Sequence, residues 1–127
     1  MFNTYIINLK KDVEKLNLIR ERLGDHGIDP IRFDAINRYT PNVFDKYSNR
    51  ISFFGKHFCP KTALAIGLSH LELIKYISEN DPYPYALILE DDAVPNTNDV
   101  KDKIKQTIKE IDDDAWDMIK LNYFFYT

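Results

Sequence analysis

Short apolar runs alternate along this chain with longer stretches in which apolar residues recur every three or four positions. Residues 4–9 are β-branched and aromatic and read as a buried strand. Asp12 then stands as a helix cap, and Val13, Leu16, Ile19 and Leu23 follow at near-helical spacing, with Gly24 or Gly27 as the stop. Residues 30–35, centred on 32–35, predict a short second strand. Over residues 62–78, Leu64, Leu68, Leu71, Ile74 and Ile77 mark another helix, closed by the Asp-Pro and Tyr-Pro turns of 80–84. Residues 85–89 are a third strand, and their unbroken aliphatic character suits burial on both faces. Val100, Ile104, Ile108 and Ile111 stripe a further helix whose opposite face carries Lys101, Lys103, Lys105 and Lys109 as a solvated surface. Residues 118–123 predict a fourth strand. Strands alternating with helices imply an α/β fold with a parallel sheet and right-handed crossovers.

Residues 37–60 interrupt the alternation. Arg38, Tyr39, Pro41, Asn42, Asp45, Ser48, Asn49 and Gly55 read as a long loop with little regular structure, and such loops are usually functional lids or disordered segments. Phe44, Tyr47, Phe53, Phe54 and Phe58 argue against disorder. Packing the loop onto the body is the expected role of these aromatics, ahead of stacking on a sugar.

A length of 127 residues, 44% of them hydrophobic, supports one domain with a real core, read as 1–127. The net charge of -3 and the lack of a stripe of basic residues interleaved with aromatics argue against polynucleotide binding. Cys59 has no second cysteine to pair with, which fits a reducing compartment, and it reads as a small buried thiol and not a nucleophile. The N-terminal apolar stretch is too short for a signal peptide and no run reaches membrane-spanning length. The expectation is a soluble, cytoplasmic protein, with peripheral membrane contact left open.

The chemistry concentrates where the third strand ends. Ala-Leu-Ile-Leu runs directly into Glu90, Asp91 and Asp92. Adjacent carboxylates repel unless a cation neutralises them, and hard oxygen ligands suit Mg²⁺ or Mn²⁺. The carboxyl ends of strands are also where open α/β sheets bind ligands. On an extended strand end Glu90 and Asp92 project to the same side. A solvated acidic turn is the competing reading, since Pro95 and Asn96 supply turn chemistry. Phosphate-accepting receiver domains also place paired acids after a strand, but they need acids at the end of the first strand, where this chain has Asn8-Leu9-Lys10. His70, in an apolar helix, reads either as a hydrogen-bonded core residue or as part of a ligand pocket. His26 falls in a turn, and neither it nor His57 has a motif behind it.

Five pieces occur in order: Ile-Asn-Leu-Lys-Lys at 7–11, Phe-Asp-Ala-Ile-Asn at 33–37, Leu-Ser-His at 68–70, Ala-Leu-Ile-Leu-Glu-Asp-Asp at 86–92 and Trp-Asp-Met-Ile-Lys-Leu at 116–121. Together they resemble glycosyltransferase family 25, the lipooligosaccharide and collagen galactosyltransferase type. The resemblance implies a Rossmann-like, GT-A type fold with helices on both faces of the sheet. It implies inverting transfer from a UDP-sugar, commonly UDP-galactose, to a glycan or a protein hydroxyl, with Mn²⁺ or Mg²⁺ as cofactor. Glu90 and Asp92 become the implied metal ligands, and Asp91, Ser69 and His70 join the donor pocket. Asn8 and Asn37 fall where the family contacts the nucleoside, and Lys10 and Lys11 either approach phosphate or face solvent as exposed lysines ordinarily do. Two departures stand on the nucleoside side: Ala65-Ile66-Gly67-Leu68 replaces the family's frequent Gly-Cys, and Asn37-Arg38 its frequent Asp-Gly. No residue stands out as the general base, which must lie against the acceptor hydroxyl. Because family catalytic domains continue past the Trp-Asp strand, the resemblance implies the N-terminal, donor-binding portion, with weak or no transfer by this chain alone. The alternative is a shortened relative that binds a sugar nucleotide or a partner protein without turnover. The aromatics of 123–127 form a patch through which two chains could pair.

Overall fold

The computed structural model describes residues 1–121, and within them three strands form one parallel sheet. Strand β1 (Asn3–Asn8) lies in the middle, β2 (Ile31–Asp34) on one side and β3 (Ala86–Glu90) on the other. The register pairs Ile7 with Phe33 and with Glu90, and Asn8 with Asp34. All three strands therefore end at the same edge, as predicted.

Alternation along β1 sends side chains to two different cores, because successive residues of a strand face opposite ways. Ile6 packs with Ile19 and Leu23 of helix α1 (Val13–Gly24), with Ile28, and with Leu89 and Val100. Val100 opens helix α4 (Val100–Glu110), so α1 and α4 cover one face. Tyr5 and Ile7 point the other way, onto Leu73 and Ile77 of helix α3 (Lys61–Asn80), together with Phe33, Ala86 and Ile88. Ile6, Ile19 and Leu73 are fully buried. The helix-covered α/β sheet expected from the pattern is the fold observed.

The elements depart from expectation in four places. Residues 53–58 form a short helix, α2 (Phe53–Phe58), and Asp45–Tyr47 a 3₁₀ turn, so the long excursion is not structureless. Strand β3 is half-buried, not sealed on both faces, because it borders the described sheet with β1 on one side alone. Residues 118–121 carry no strand; the segment before them is held by stacking of Trp116 on Tyr85 at 5.5 Å. The rest of that predicted strand, and the aromatic patch of 123–127, lie outside the described residues. Asp12 does occupy the N-cap position of α1, but its side chain caps nothing; its carbonyl instead accepts from Leu16 N–H at 3.2 Å. Helix α1 stops at Gly24, and Gly27 supplies the left-handed φ of +68° that turns the chain toward Ile28. Cys59 is half-buried.

At the amino end of the sheet, away from the acidic cluster, Asp81 accepts hydrogen bonds from Tyr5 Oη (2.6 Å), Asn3 Nδ2 (3.0 Å) and Tyr83 N–H (2.9 Å). Burial pushes the Tyr5 hydroxyl up from 10.0 to about 12, and the bond to Asp81 adds to the shift. Burial also works to raise Asp81, but its three donors outweigh it and hold the carboxyl below 3.8. A raised folded value means that the Tyr5 contribution is whole below pH 10 and lost as pH climbs through about 12. The Asp81 contribution is present above its ordinary value and lost as pH falls through the lowered one. We expect Tyr5→Phe to be less stable than the parent at pH 8, with the gap closing between pH 10 and 12. Urea unfolding at several pH values checks this, and a gap independent of pH in that range would contradict it.

Candidate functional site

The carboxyl edge of the sheet is built from strand ends, so backbone pairing alone brings β1, β2 and β3 residues together. The order β2-β1-β3 makes the chain run one way across the sheet from β1 and then back past it. The crossover reverses between β1 and β3, the kind of switch point at which open α/β sheets bind ligands. Asn8 and Asp91 meet there, with Asn8 Nδ2 donating to Asp91 Oδ2 at 2.7 Å.

Asn8 is only 2% exposed and its amide is fully oriented. Nδ2 also donates to the Asp12 carbonyl at 3.1 Å, while Oδ1 accepts from Arg32 Nε at 3.0 Å. Arg32 further donates Nη2 to the Asn8 carbonyl (3.0 Å) and to Asp34 (2.8 Å). The guanidinium thus fixes which end of the amide faces Asp91, and a chain of charge-assisted bonds runs Arg32, Asn8, Asp91. Both Asn8 amide hydrogens are engaged within the protein. In this arrangement the residue positions Asp91, and a direct nucleoside contact would need one of these bonds to be exchanged.

The three acids do not share one environment. Glu90 closes β3, its side chain 53% exposed, with Oε1 at 3.4 Å from His70 Nε2. Asp91 is half-buried against Asn8, and Asp92 is exposed. The extended alternation expected to align Glu90 with Asp92 ends at Glu90, because Ala93 N–H donates back to the Glu90 carbonyl at 3.1 Å and closes a turn. Among the described residues no three His, Cys, Asp or Glu side chains lie close enough to hold a metal by themselves. Two exposed carboxylates still match how Mg²⁺ is ordinarily held, by one or two carboxylates plus substrate phosphate oxygens and water.

His70 is neither a buried core residue nor isolated: it sits on α3 with its ring 37% exposed, facing Glu90. Its neighbour Ser69 is 1% exposed. Ser69 Oγ donates to the Ala65 carbonyl (2.7 Å) and accepts Ile36 N–H (2.9 Å), which ties α3 to the segment leaving β2. Its geometry is that of a clasp.

Beside these groups, after β1 and β2, lies an open cleft of about 560 Å³ lined by Lys10, Lys11, Asp34, Asn37 and Thr40 among others. That volume is within the roughly 300–1,000 Å³ of small-molecule sites. Lys10, Lys11 and Asn37, singled out from separate motifs, share this cleft. Asn37 Oδ1 accepts Tyr39 N–H at 3.0 Å, a local turn that shapes its wall. Tyr39 is 70% exposed, with the Arg38 guanidinium 4.7 Å and the Lys11 ammonium 5.8 Å from its ring centre. Two lysines line the cleft against one carboxylate, Asp34, which Arg32 already pairs, and that balance favours an anion there. Arg32, Arg38 and Tyr39 were not singled out by sequence reasoning, although Arg38 and Tyr39 directly follow Asn37.

A parallel α/β sheet with polar side chains gathered at its topological switch point defines a Rossmann-like domain. The family model described as glycosyltransferase family 25, LPS biosynthesis protein, matches residues 1–126, and the chain belongs to that family. Membership implies a sugar donor and a glycan acceptor. No curated protein and no solved structure matches the chain. No helix among the described residues is long and apolar enough to cross a membrane.

Proposed function

We propose that this glycosyltransferase domain binds a UDP-sugar, UDP-galactose in the first instance, and takes part in inverting, metal-dependent transfer of the sugar to a glycan or protein hydroxyl. The observation that carries the reading is the meeting of Asn8 with Asp91 at the β1/β3 switch point, next to a cleft lined by Lys10, Lys11 and Asn37 in a family 25 chain. Lys10, Lys11 and Arg38 attract the diphosphate. Asn37 and the Tyr39 ring form the nucleoside side, an aromatic face being a tolerant platform for a base. Glu90 and Asp92 would hold Mn²⁺ or Mg²⁺, with His70 ordering the Glu90 carboxylate. Such an ion supplies neutralisation of the charge that develops on the UDP leaving group. Asn8, fixed by Arg32, keeps Asp91 turned toward the sheet, which leaves Glu90 and Asp92 as the outward carboxylates.

Calorimetric titration of UDP-galactose with and without Mn²⁺, followed by a transfer assay on a simple sugar acceptor, tests the proposal. Binding strengthened by Mn²⁺ is expected. Metal-independent binding would remove the metal from the reading, and binding without any transfer would favour the sugar-nucleotide-binding relative that does not turn over.

A further inference from the structure

The excursion between β2 and α3 carries, at α2, a surface to which the reading above gives no part. Ser52 Oγ caps α2 by accepting Gly55 N–H at 3.0 Å. A Cβ on Gly55 would lie 3.1 Å from Ile51 Cγ2 and 3.2 Å from Ser52 Oγ, with Leu64 of α3 beyond, so this glycine is the side of the helix that packs inward. Phe53, Phe54 and Phe58 are left outside, 68%, 72% and 74% exposed. Their rings form a continuous aromatic face: Phe54 lies 5.9 Å from both Phe53 and Phe58, and His57 lies 4.5 Å from Phe53. Packing onto the body, the role expected of the loop aromatics, holds for buried Tyr47 and fails for these three.

The charge around this face is one-sided. From residue 46 to residue 71 the sequence contains Lys46, Arg50, Lys56 and Lys61 and not one Asp or Glu, in a chain whose overall charge is -3. Arg50 is paired with Glu72 at 3.0 Å and Lys46 lies 5.2 Å from the Tyr47 ring centre, which leaves Lys56 inside α2 and Lys61 at the start of α3 as the cations flanking the phenylalanines. Exposed phenylalanines beside lysines fit a partner that is apolar and negatively charged within a few ångströms. An anionic lipid surface is such a partner: rings enter the headgroup and acyl boundary while ammonium groups stay with the phosphates. A ring without a polar tip gains by burial in any apolar layer, and the lysines beside these three favour a layer rimmed with phosphate.

We propose that the Phe53, Phe54 and Phe58 face of α2, flanked by Lys56 and Lys61, docks this domain on the surface of an anionic bilayer. The proposal does not depend on the donor or metal reading. Co-sedimentation of the full chain with vesicles of phosphatidylglycerol and phosphatidylethanolamine tests it, against phosphatidylcholine vesicles at the same lipid concentration. Binding to the anionic vesicles alone is expected, weakening as salt rises, with each lysine reversed to glutamate lowering partitioning by more than the roughly fivefold that losing its positive charge costs. Phe53→Ser with Phe54→Ser and Phe58→Ser should abolish binding while leaving the circular dichroism melt unchanged, since these rings are outside the core. Lys56→Glu with Lys61→Glu serves as the second variant should the serine variant lose its fold. Equal binding to neutral vesicles, binding that survives both variants, or a parent that ignores vesicles but self-associates through these phenylalanines in sedimentation velocity would each overturn the proposal.

Discussion

Asn8→Asp is expected to destabilise the chain by roughly 3 kcal/mol at pH 7, the scale for breaking a buried, charge-assisted hydrogen-bond network. The substitution changes almost no volume, and so its effect comes from the two lost amide hydrogens and the added charge. One of them bridges β1 to Asp91, and the other satisfies the Asp12 carbonyl that also receives the first turn of α1. A carboxylate in that position sets a second negative charge about 3 Å from Asp91 and takes from the Asp12 carbonyl one of its two donors, at a site only 2% exposed. Arg32 remains on the Oδ1 side and offsets part of the cost. Two ionised carboxyls at this distance repel, so protonation at low pH should relieve part of the deficit. Urea unfolding at pH 4 and pH 7 measures it. Parent-like stability at both pH values would show that the Asn8 bridge contributes little, and the positioning role of Arg32 would fall with it.

That network also marks how far the sequence could be read. Strand ends were legible because each apolar run stops abruptly: Asn8 ends β1, Asp34 ends β2 and Glu90 ends β3, each within a residue or two of expectation. Parallel pairing then aligns those ends without further information. Arg32 was not legible, since an arginine inside a strand reads as a solvent-facing residue until the pairing of Ile6 with Arg32 and Asn8 with Asp34 is known. The contact of His70 with Glu90 depends likewise on where α3 crosses β3, a relation between residues 20 apart in the chain.

Local geometry explains the other misses. Glu90 and Asp92 were aligned on the assumption of continued extension, and one backbone hydrogen bond from Ala93 to Glu90 ends it. Helix α2 escaped because its apolar residues lie on the outer face around an inward glycine, the reverse of the amphipathic pattern used to find helices. Ser52, three residues before Gly55, was the available signal: a serine cap at the head of a short helix.

The acid that extension misplaced carries the second large effect. Asp92→Asn is expected to lower Mn²⁺-dependent affinity for UDP by about tenfold or more, some 1.4 kcal/mol, with the fold unchanged. Asp92 is exposed, and no hydrogen bond or ion pair ties it to another described residue, so its charge does nothing visible for packing. Asp91→Asn would confound binding with a weakened Asn8 bridge, and Glu90→Gln with an altered His70 contact. An asparagine at 92 removes a charge and little else. Two carboxylates are fewer ligands than a closed cage provides, so the ion should arrive together with the diphosphate, whose oxygens complete its shell. Calorimetry can separate the steps. Mn²⁺ alone should give little heat with parent or variant, UDP with Mn²⁺ should bind the parent, and that combined binding should fail in Asp92→Asn. Equal combined affinity in parent and variant would remove Asp92 from the site, while tight Mn²⁺ binding before UDP would require ligands beyond Glu90 and Asp92.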